Sequence, residues 1–437
     1  MNWKSKTLWN SSIILVLLCV SCATVRYQRD ISEYQSEINK LETKLKTNPE
    51  DSEALQDLGV IYFETEQYSL AIDYLQKAYE YNPNDPKTMF YLGMTLEFQN
   101  KNQEALKIHE KFIEVSRLSP YRRLMEGRYR RLNREIIRQE IRTLLQQEQQ
   151  LSEDRMTSKT IAIFPLIYQG KDEQYAPLGK GLSEMIIIDL GQVQELQLLE
   201  RIRMQTLLEE LKLAQTELIN KQSAPRFGKL LGAGRILAGT FNILKKKQLQ
   251  VDVLSWDIIN HNFPDATSQS DALENLFRLE KDLVFNVIEE MGIELTPQER
   301  DNIQHIPTKN IQAFLAFCKG LEKEDAMQFN AAVKFYQEAI KLDPDFKAAA
   351  NKSEAAESLS QAGGSSEDVL GQIVKIEGQE IVPVTSPNDL INNRLQNLGS
   401  NVGSNFVPGQ DSRKSTEEAS SSGADLGELP KPPEPPE

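Results

Sequence analysis

Apolar residues in this chain keep three different rhythms, and each change of rhythm marks a boundary. After Lys4 and Lys6, an apolar run from Ile13 to Val20 covers only eight residues. A bilayer-spanning helix needs about 20, so the run reads as the core of an export signal and not as a membrane span. Ile31, Tyr34, Ile38, Leu41 and Leu45 then recur at spacings of three and four. That single stripe predicts a helix that packs onto the next domain or serves as a stalk. A longer period follows. Leu55, Leu58, Gly59, Tyr62, Ala71, Leu75 and Ala78 reappear 34 residues later as Met89, Leu92, Gly93, Leu96, Ala105, His109 and Phe112. Each copy predicts two helices, brought close by a glycine on the first and an alanine on the second. Pro83 stops the second helix because it has no N–H to continue the ladder. Gly320, Ala332, Tyr336, Ala339 and Pro344 keep the same offsets far downstream, and the Ala-rich stretch 346–359 predicts a capping helix.

Between these helical regions the period shortens. The run 160–167 (TIAIFPLI) is β-branched and bounded by loop residues, as a buried strand should be. Helices are predicted over 177–190, 201–213, 225–231 and 271–291, and strands over 196–199, 236–243 and 249–259, the last two joined through Lys245, Lys246 and Lys247. Strands alternating with helices and ending in a hairpin imply an α/β layer with a mixed sheet. From Gly363 onward 27 of 75 residues are Gly, Ser or Pro, Phe406 is the sole aromatic, and acidic residues outnumber basic ones twelve to five. Such a segment cannot bury enough surface to offset its ordering entropy and is expected to be disordered, apart from a short β segment over 372–384.

Charge adds one feature that the periodicity does not show. The chain as a whole carries a formal net charge of −14, which argues against nucleic acid as a partner. Residues 117–142 nevertheless hold nine Arg against three Glu, interleaved with Leu124, Leu132, Ile136, Ile137 and Ile141 at helical spacing. Two readings stand. Arg122, Arg123, Arg128, Arg130, Arg131, Arg134 and Arg138 form a basic interaction surface for an acidic protein or anionic headgroups, or they pair with acidic groups of this same chain. The chain has three His, at 109, 261 and 305, none at metal-ligand spacing. There is no nucleophile elbow, P-loop or zinc motif, and the glycines at 228, 232 and 234 end a helix before a strand, the reverse of a dinucleotide loop. No catalysis, cofactor or metal is expected. Glu200 beside Arg201 is read as a structural ion pair, and Cys318 as a buried small hydrophobe.

Three resemblances organise these observations. Ser21-Cys22 after the apolar run resembles a bacterial lipobox, with Cys19 where Leu is usual. This implies removal of residues 1–21, lipid on Cys22 and a protein tethered to the outer membrane; the alternative is an ordinary secretory signal cut near Ala23. The 34-residue frame is similar to the tetratricopeptide repeat, with Leu55 in place of its Trp. The stretches 161–166 (IAIFPL), 175–190 (YAPLGKGLSEMIIIDL), 196–211 (LQLLERIRMQTLLEEL) and 228–241 (GKLLGAGRILAGTF) together resemble the curli-secretion lipoprotein CsgG, the flagellar lipoprotein FlgO and the amino-terminal domain of TolB.

The expected organisation is an α plus α/β chain. It comprises a signal peptide (1–21), a tether and stalk helix (22–48), two tetratricopeptide repeats (49–117), an Arg-rich connecting helix (118–158), a CsgG/FlgO-like α/β domain (159–300), a third repeat with capping helix (301–360) and an acidic tail (361–437). The third repeat either docks on the α/β domain or joins the first two in space. The resemblances imply a non-catalytic, lipid-anchored envelope protein that binds a protein partner through its repeats and acts in outer-membrane assembly or secretion. The alternative is a subunit of a CsgG-like secretion channel, a homo-oligomer, although no long alternating segment of the kind a transmembrane barrel needs is present.

Overall fold

A computed structural model describes residues 31–212 and 218–377. The signal segment, Cys22 and the tail beyond residue 377 lie outside the described residues.

Helix α1 (Ile31–Thr47) buries Ile38 and Leu41 against α2 (Ser52–Glu64), which pairs with α3 (Tyr68–Tyr81). The second repeat is α4 (Pro86–Phe98) and α5 (Asn102–Glu110). Its first helix starts where Asp85 accepts a hydrogen bond from Thr88 N at 2.7 Å and Pro86 supplies a preset φ, as Asp51 does for α2 through Ala54 N at 2.9 Å. Helix α6 (Pro120–Gln146) carries the Arg-rich stretch.

Among the described residues six strands form one mixed sheet: β1 (Thr157–Ile163), β2 (Ile167–Tyr168), β3 (Gln197–Leu198), β4 (Ala233–Leu244), β5 (Gln248–Asp257) and β6 (Thr267–Ala272). The order is β3-β1-β4-β5-β6, with β2 also pairing β4. Pairs among β1 to β4 are parallel, and β4-β5 and β5-β6 are antiparallel. Helices α7 (Leu178–Leu190), α8 (Arg201–Leu211), α9 (Ala224–Leu231) and α10 (Leu276–Glu290) cover its faces. Side chains alternate cleanly between them. Ile161, Ile163 and Leu237 point into the cluster with Ile187 of α7 and Val284 of α10, while Ala162, Phe164, Ile236 and Ala238 point into the one with Met204 and Phe227 of α8 and α9. Both faces are covered, which is why the strand at 160–167 reads as an unbroken apolar run. Gly232 ends α9 in the left-handed conformation (φ 72°), which favours glycine at a helix terminus.

After α11 (Pro297–Gln304) come α12 (Ile311–Asp325), α13 (Phe329–Leu342), α14 (Lys347–Ala362) and α15 (Ser366–Glu377). Three expectations are corrected. The predicted helix over 271–291 begins only at Leu276, because 267–272 forms the polar edge strand β6, held by its pairing to β5 and not by apolar alternation. Residues 366–377 are helical, although they fall within the tail expected from 361. The same helix replaces the first half of the β segment expected over 372–384, the rest of which lies outside the described residues.

Gly59, Gly93 and Gly320 each press against the residue sixteen positions on, respectively Leu75, His109 and Tyr336. Gly127, on α6, has no such neighbour in its own stretch of chain and packs instead on Ser358 and Ala362 of α14. Helix α6 is thus the first helix of a further repeat-like pair whose second helix is α14. The downstream repeat does both things the sequence left open: α12 packs on α7, with Cys318 against Gly181, and α14 packs on α6. The α/β domain is therefore enclosed between two arms of helical repeats that meet each other.

Candidate functional site

The repeat residues sort by position. Leu55, Leu58, Gly59, Tyr62, Ala71, Leu75, Ala78, Leu92, Gly93 and Ala105 are buried, as are Gly320, Ala332, Tyr336 and Ala339, whereas Pro83 and Pro344 are exposed in the loops that follow second helices. They shape the repeats without lining a surface. The surface a solenoid offers a partner is its inner face. Helix α4 is flanked along the stack by α2 and α6 and backed by α3 and α5, which leaves one side of it for that face. The helix is buried along nearly its whole length, from Thr88 to Glu97. What covers the remaining side is α15, whose Val369 and Ile373 belong to the same core as Phe90, Met94 and Tyr129.

A buried polar cluster fixes the start of α15. Glu97, at the end of α4, accepts from Arg128 Nε at 2.9 Å and shares a contact of 2.9 Å with His109 Nε2. Arg128 also donates to the carbonyls of Ala362 (3.1 Å) and Gly364 (2.7 Å) and to Ser366 Oγ (3.1 Å), which in turn donates to Glu97 at 3.2 Å. Burial by itself would raise the Glu97 carboxyl, but the hydrogen bonds from His109 and Arg128 hold it down at about 2. Burial pushes the His109 imidazole down in spite of Glu97, so a neutral ring donates from Nε2.

The expected basic surface is corrected. Arg122 and Arg128 are buried. Arg122 donates to the carbonyls of Phe112 (2.9 Å) and Ile113 (3.2 Å). Arg130 pairs with Glu126 at 2.7 Å, Arg131 with Glu135 at 2.9 Å, Arg123 with Glu357 at 3.6 Å and Arg138 with Glu209 at 3.2 Å, and Arg134 lies over the Phe329 ring. Arg123, Arg128 and Arg134 reach the C-terminal helices and Arg138 reaches α8, whereas Arg130 pairs within α6 and Arg122 holds the turn that precedes it. Glu200 and Arg201 do not pair either. Glu200 accepts from Asn133 at 3.0 Å, while Arg201 meets Glu184 at 2.9 Å, Glu324 at 3.2 Å and Asp325. The sequence neighbours diverge because Glu200 precedes α8 and faces α6, whereas Arg201 opens the helix toward α7 and α12.

A cavity of about 440 Å³ opens where the two repeat arms meet the α/β domain. Arg122, Arg130, Glu184, Asp189, His305 and Lys352 contribute to its wall, a balance of both signs that selects neither anion nor cation. The inner side of α4, covered by α15, is the other candidate surface. Sequence reasoning did not find Gly127, Glu97 or Arg128 in these roles. The signal for Gly127 was present in the 34-residue steps from Gly59 to Gly93 to Gly127.

Four stretches of the chain are similar to known families. Residues 52–85, 74–107 and 320–346 match models of the tetratricopeptide repeat. Residues 143–248, from the end of α6 to the start of β5, match the model described as curli production assembly/transport component CsgG. A stretch of 56 residues is 41% identical to the peroxisomal targeting signal receptor of Pichia angusta, covering 13% of this chain and 10% of that protein. The chain thus spans about a tenth of the length of that relative.

Proposed function

With tetratricopeptide repeats and a CsgG-like domain in one chain, we propose that this protein is a non-catalytic envelope lipoprotein that holds a protein partner beside its CsgG-like domain, in outer-membrane assembly or secretion. The observation that carries the reading is the union of the two parts. Arg201, largely enclosed between α7, α8 and α12, ties the CsgG-like domain to the downstream repeat, and α6 with α14 ties that repeat to the upstream pair. A partner seated on the repeats is thereby fixed in place relative to the sheet. In this reading Cys22 carries the lipid, which anchors the chain to the membrane, each buried methylene contributing about 0.8 kcal/mol.

Two measurements test it. In-cell crosslinking of the native chain, compared with a form lacking residues 52–117, should lose the partner along with the repeats. Retention of every crosslinked partner would end the recruitment reading. Labelling with an alkyne fatty acid should mark the native chain and not Cys22→Ala, and equal labelling would remove the anchor.

A further inference from the structure

We propose that α15 is a resident ligand of the repeat groove, and that the partner this groove accepts is an amphipathic helix of the same chemistry, which binds by displacing it. The inference rests on the reading of the repeats as the partner site and adds what the partner looks like and what guards the site.

The groove needs a cover. Around α4, the residues Phe90, Tyr91, Met94 and Leu96 are buried on different sides of the same helix, and a helix that is apolar all round is stable only when enclosed. Three of its sides are enclosed by the repeats themselves. The fourth is closed by a segment that is built to leave. Helix α15 has 12 residues, short for a helix to persist alone in water, and Gly371 sits in its middle with no atom within 4 Å that would require a glycine. It hangs from α14 by Gly363 and Gly364, and among the described side chains Val369 and Ile373 join the repeat core. Such an element belongs to the low-stability end of a structure.

The contacts specify the ligand. Val369 and Ile373, four residues apart, present one aliphatic edge, which is how a helix lies in an apolar groove. At the start of the helix, Ser366 Oγ is held between Arg128 and Glu97, and Arg128 reads the carbonyls of Ala362 and Gly364. A fitting partner therefore offers a hydroxyl residue and free carbonyls at the entry of a helix, followed by aliphatic residues on one edge. Because α15 is tethered, it competes at an effective concentration of about millimolar, so a partner in trans must bind more tightly or lower that local concentration.

The test uses the full mature chain and a fluorescent peptide with the sequence of residues 363–377. The chain carrying Val369→Asp and Ile373→Asp should release α15 and bind the peptide saturably, with the wild-type chain at least tenfold weaker. A peptide with the same two changes should bind neither. Absence of binding to a released chain that keeps its native circular dichroism, or equal binding to both chains, overturns the proposal. If the released chain does not fold, hydrogen exchange on the wild-type chain decides. Excess peptide should speed exchange of amides 366–377 and leave α14 unchanged, and an unaltered α15 overturns the proposal. Loss of the crosslinked partner on deleting 52–117, together with a peptide that never binds, would leave the recruitment reading standing and remove this one.

Discussion

Gly127 lies directly against the backbone of Ser358: a Cβ added at Gly127 would come within 2.2 Å of the Ser358 carbonyl oxygen and 2.8 Å of the Ala362 methyl. This is a close joint between the upstream and downstream repeats, and through it α6 and α14 pack as the two helices of one repeat.

Gly127→Leu should therefore part α14 from α6. Overpacking of this kind costs about 1–3 kcal/mol. The expected result is a clearly lowered melting temperature, with Gly371→Ala as the control. Gly371 has nothing within 4 Å of its added Cβ, so alanine there should leave stability unchanged or raise it by up to about 1 kcal/mol through helix propensity. Equal melting temperatures for Gly127→Leu and the parent chain would contradict the joint.

Arg201→Met should unfasten the CsgG-like domain from the downstream repeat. The substitution leaves Glu184, Glu324 and Asp325 facing one another, although Lys352 stays 3.1 Å from Glu184 and Lys180 stays 2.7 Å from Asp325. Removing one member of a buried ionic group typically costs about 3–5 kcal/mol, and the remaining lysines place this case at the lower end. Urea unfolding reads the loss as a reduced midpoint.

The cluster at the end of α4 predicts a two-stage loss of stability in acid. His109 has a folded pKa below its unfolded value of about 6.5, so the unfolded chain takes up a proton first and stability falls as pH drops below that value. Glu97 is held at about 2, so its contribution is present above about 4.3 and is lost as pH falls from there toward 2. Each stage is limited to about 1.4 kcal/mol per pH unit. Melting temperatures from pH 7.5 to 3 should show both, and His109→Gln should remove the upper one.

Glu280 predicts the opposite slope. It is fully buried beside Asp189 and Lys281, and burial, followed by the Asp189 charge, raises its carboxyl well above the usual range. A folded pKa above the unfolded one means that stability falls as pH rises from about 4.3 toward the folded value. Glu280→Gln keeps the shape without the charge, so at neutral pH the variant should melt no lower than the parent and should lose this slope. A variant that melts several degrees lower at pH 7.5 would show an ionised, stabilising Glu280 instead.

Much of the architecture was legible in the sequence because it follows from local rules. The 34-residue frame from Leu55 to Phe112 sets helix pairs, since a glycine facing a residue sixteen positions later is a contact between neighbours in the chain. The run at 160–167 marks a strand covered on both faces. The polar strand 267–272 was hidden because an edge strand has little apolar alternation to display, and its order comes from β5. The third step of the glycine frame was hidden as well. Position 126, where the frame has Leu58 and Leu92, is Glu126, and it accepts from Ser358 Oγ at 2.9 Å across the same joint.

What the sequence determined by itself is the locally patterned part of the inventory: the helix pairs of the 34-residue frame, the strand at 160–167, and which residues are small enough for close packing. These depend on steric and apolar periodicity over a few turns. What only the tertiary structure decided is the pairing. The arginines of α6 were as consistent with an external acidic partner as with internal ones, and they turn toward Glu97 of the stacked α4 and toward Glu357 and Glu209 because the chain returns α14 and α8 to that helix. Residues 366–377, read from composition as part of a solvated tail, become a helix because the inner side of α4 offers Val369 and Ile373 a place out of water. Local pattern fixes what each segment can bury, and the topology of the whole chain fixes against what.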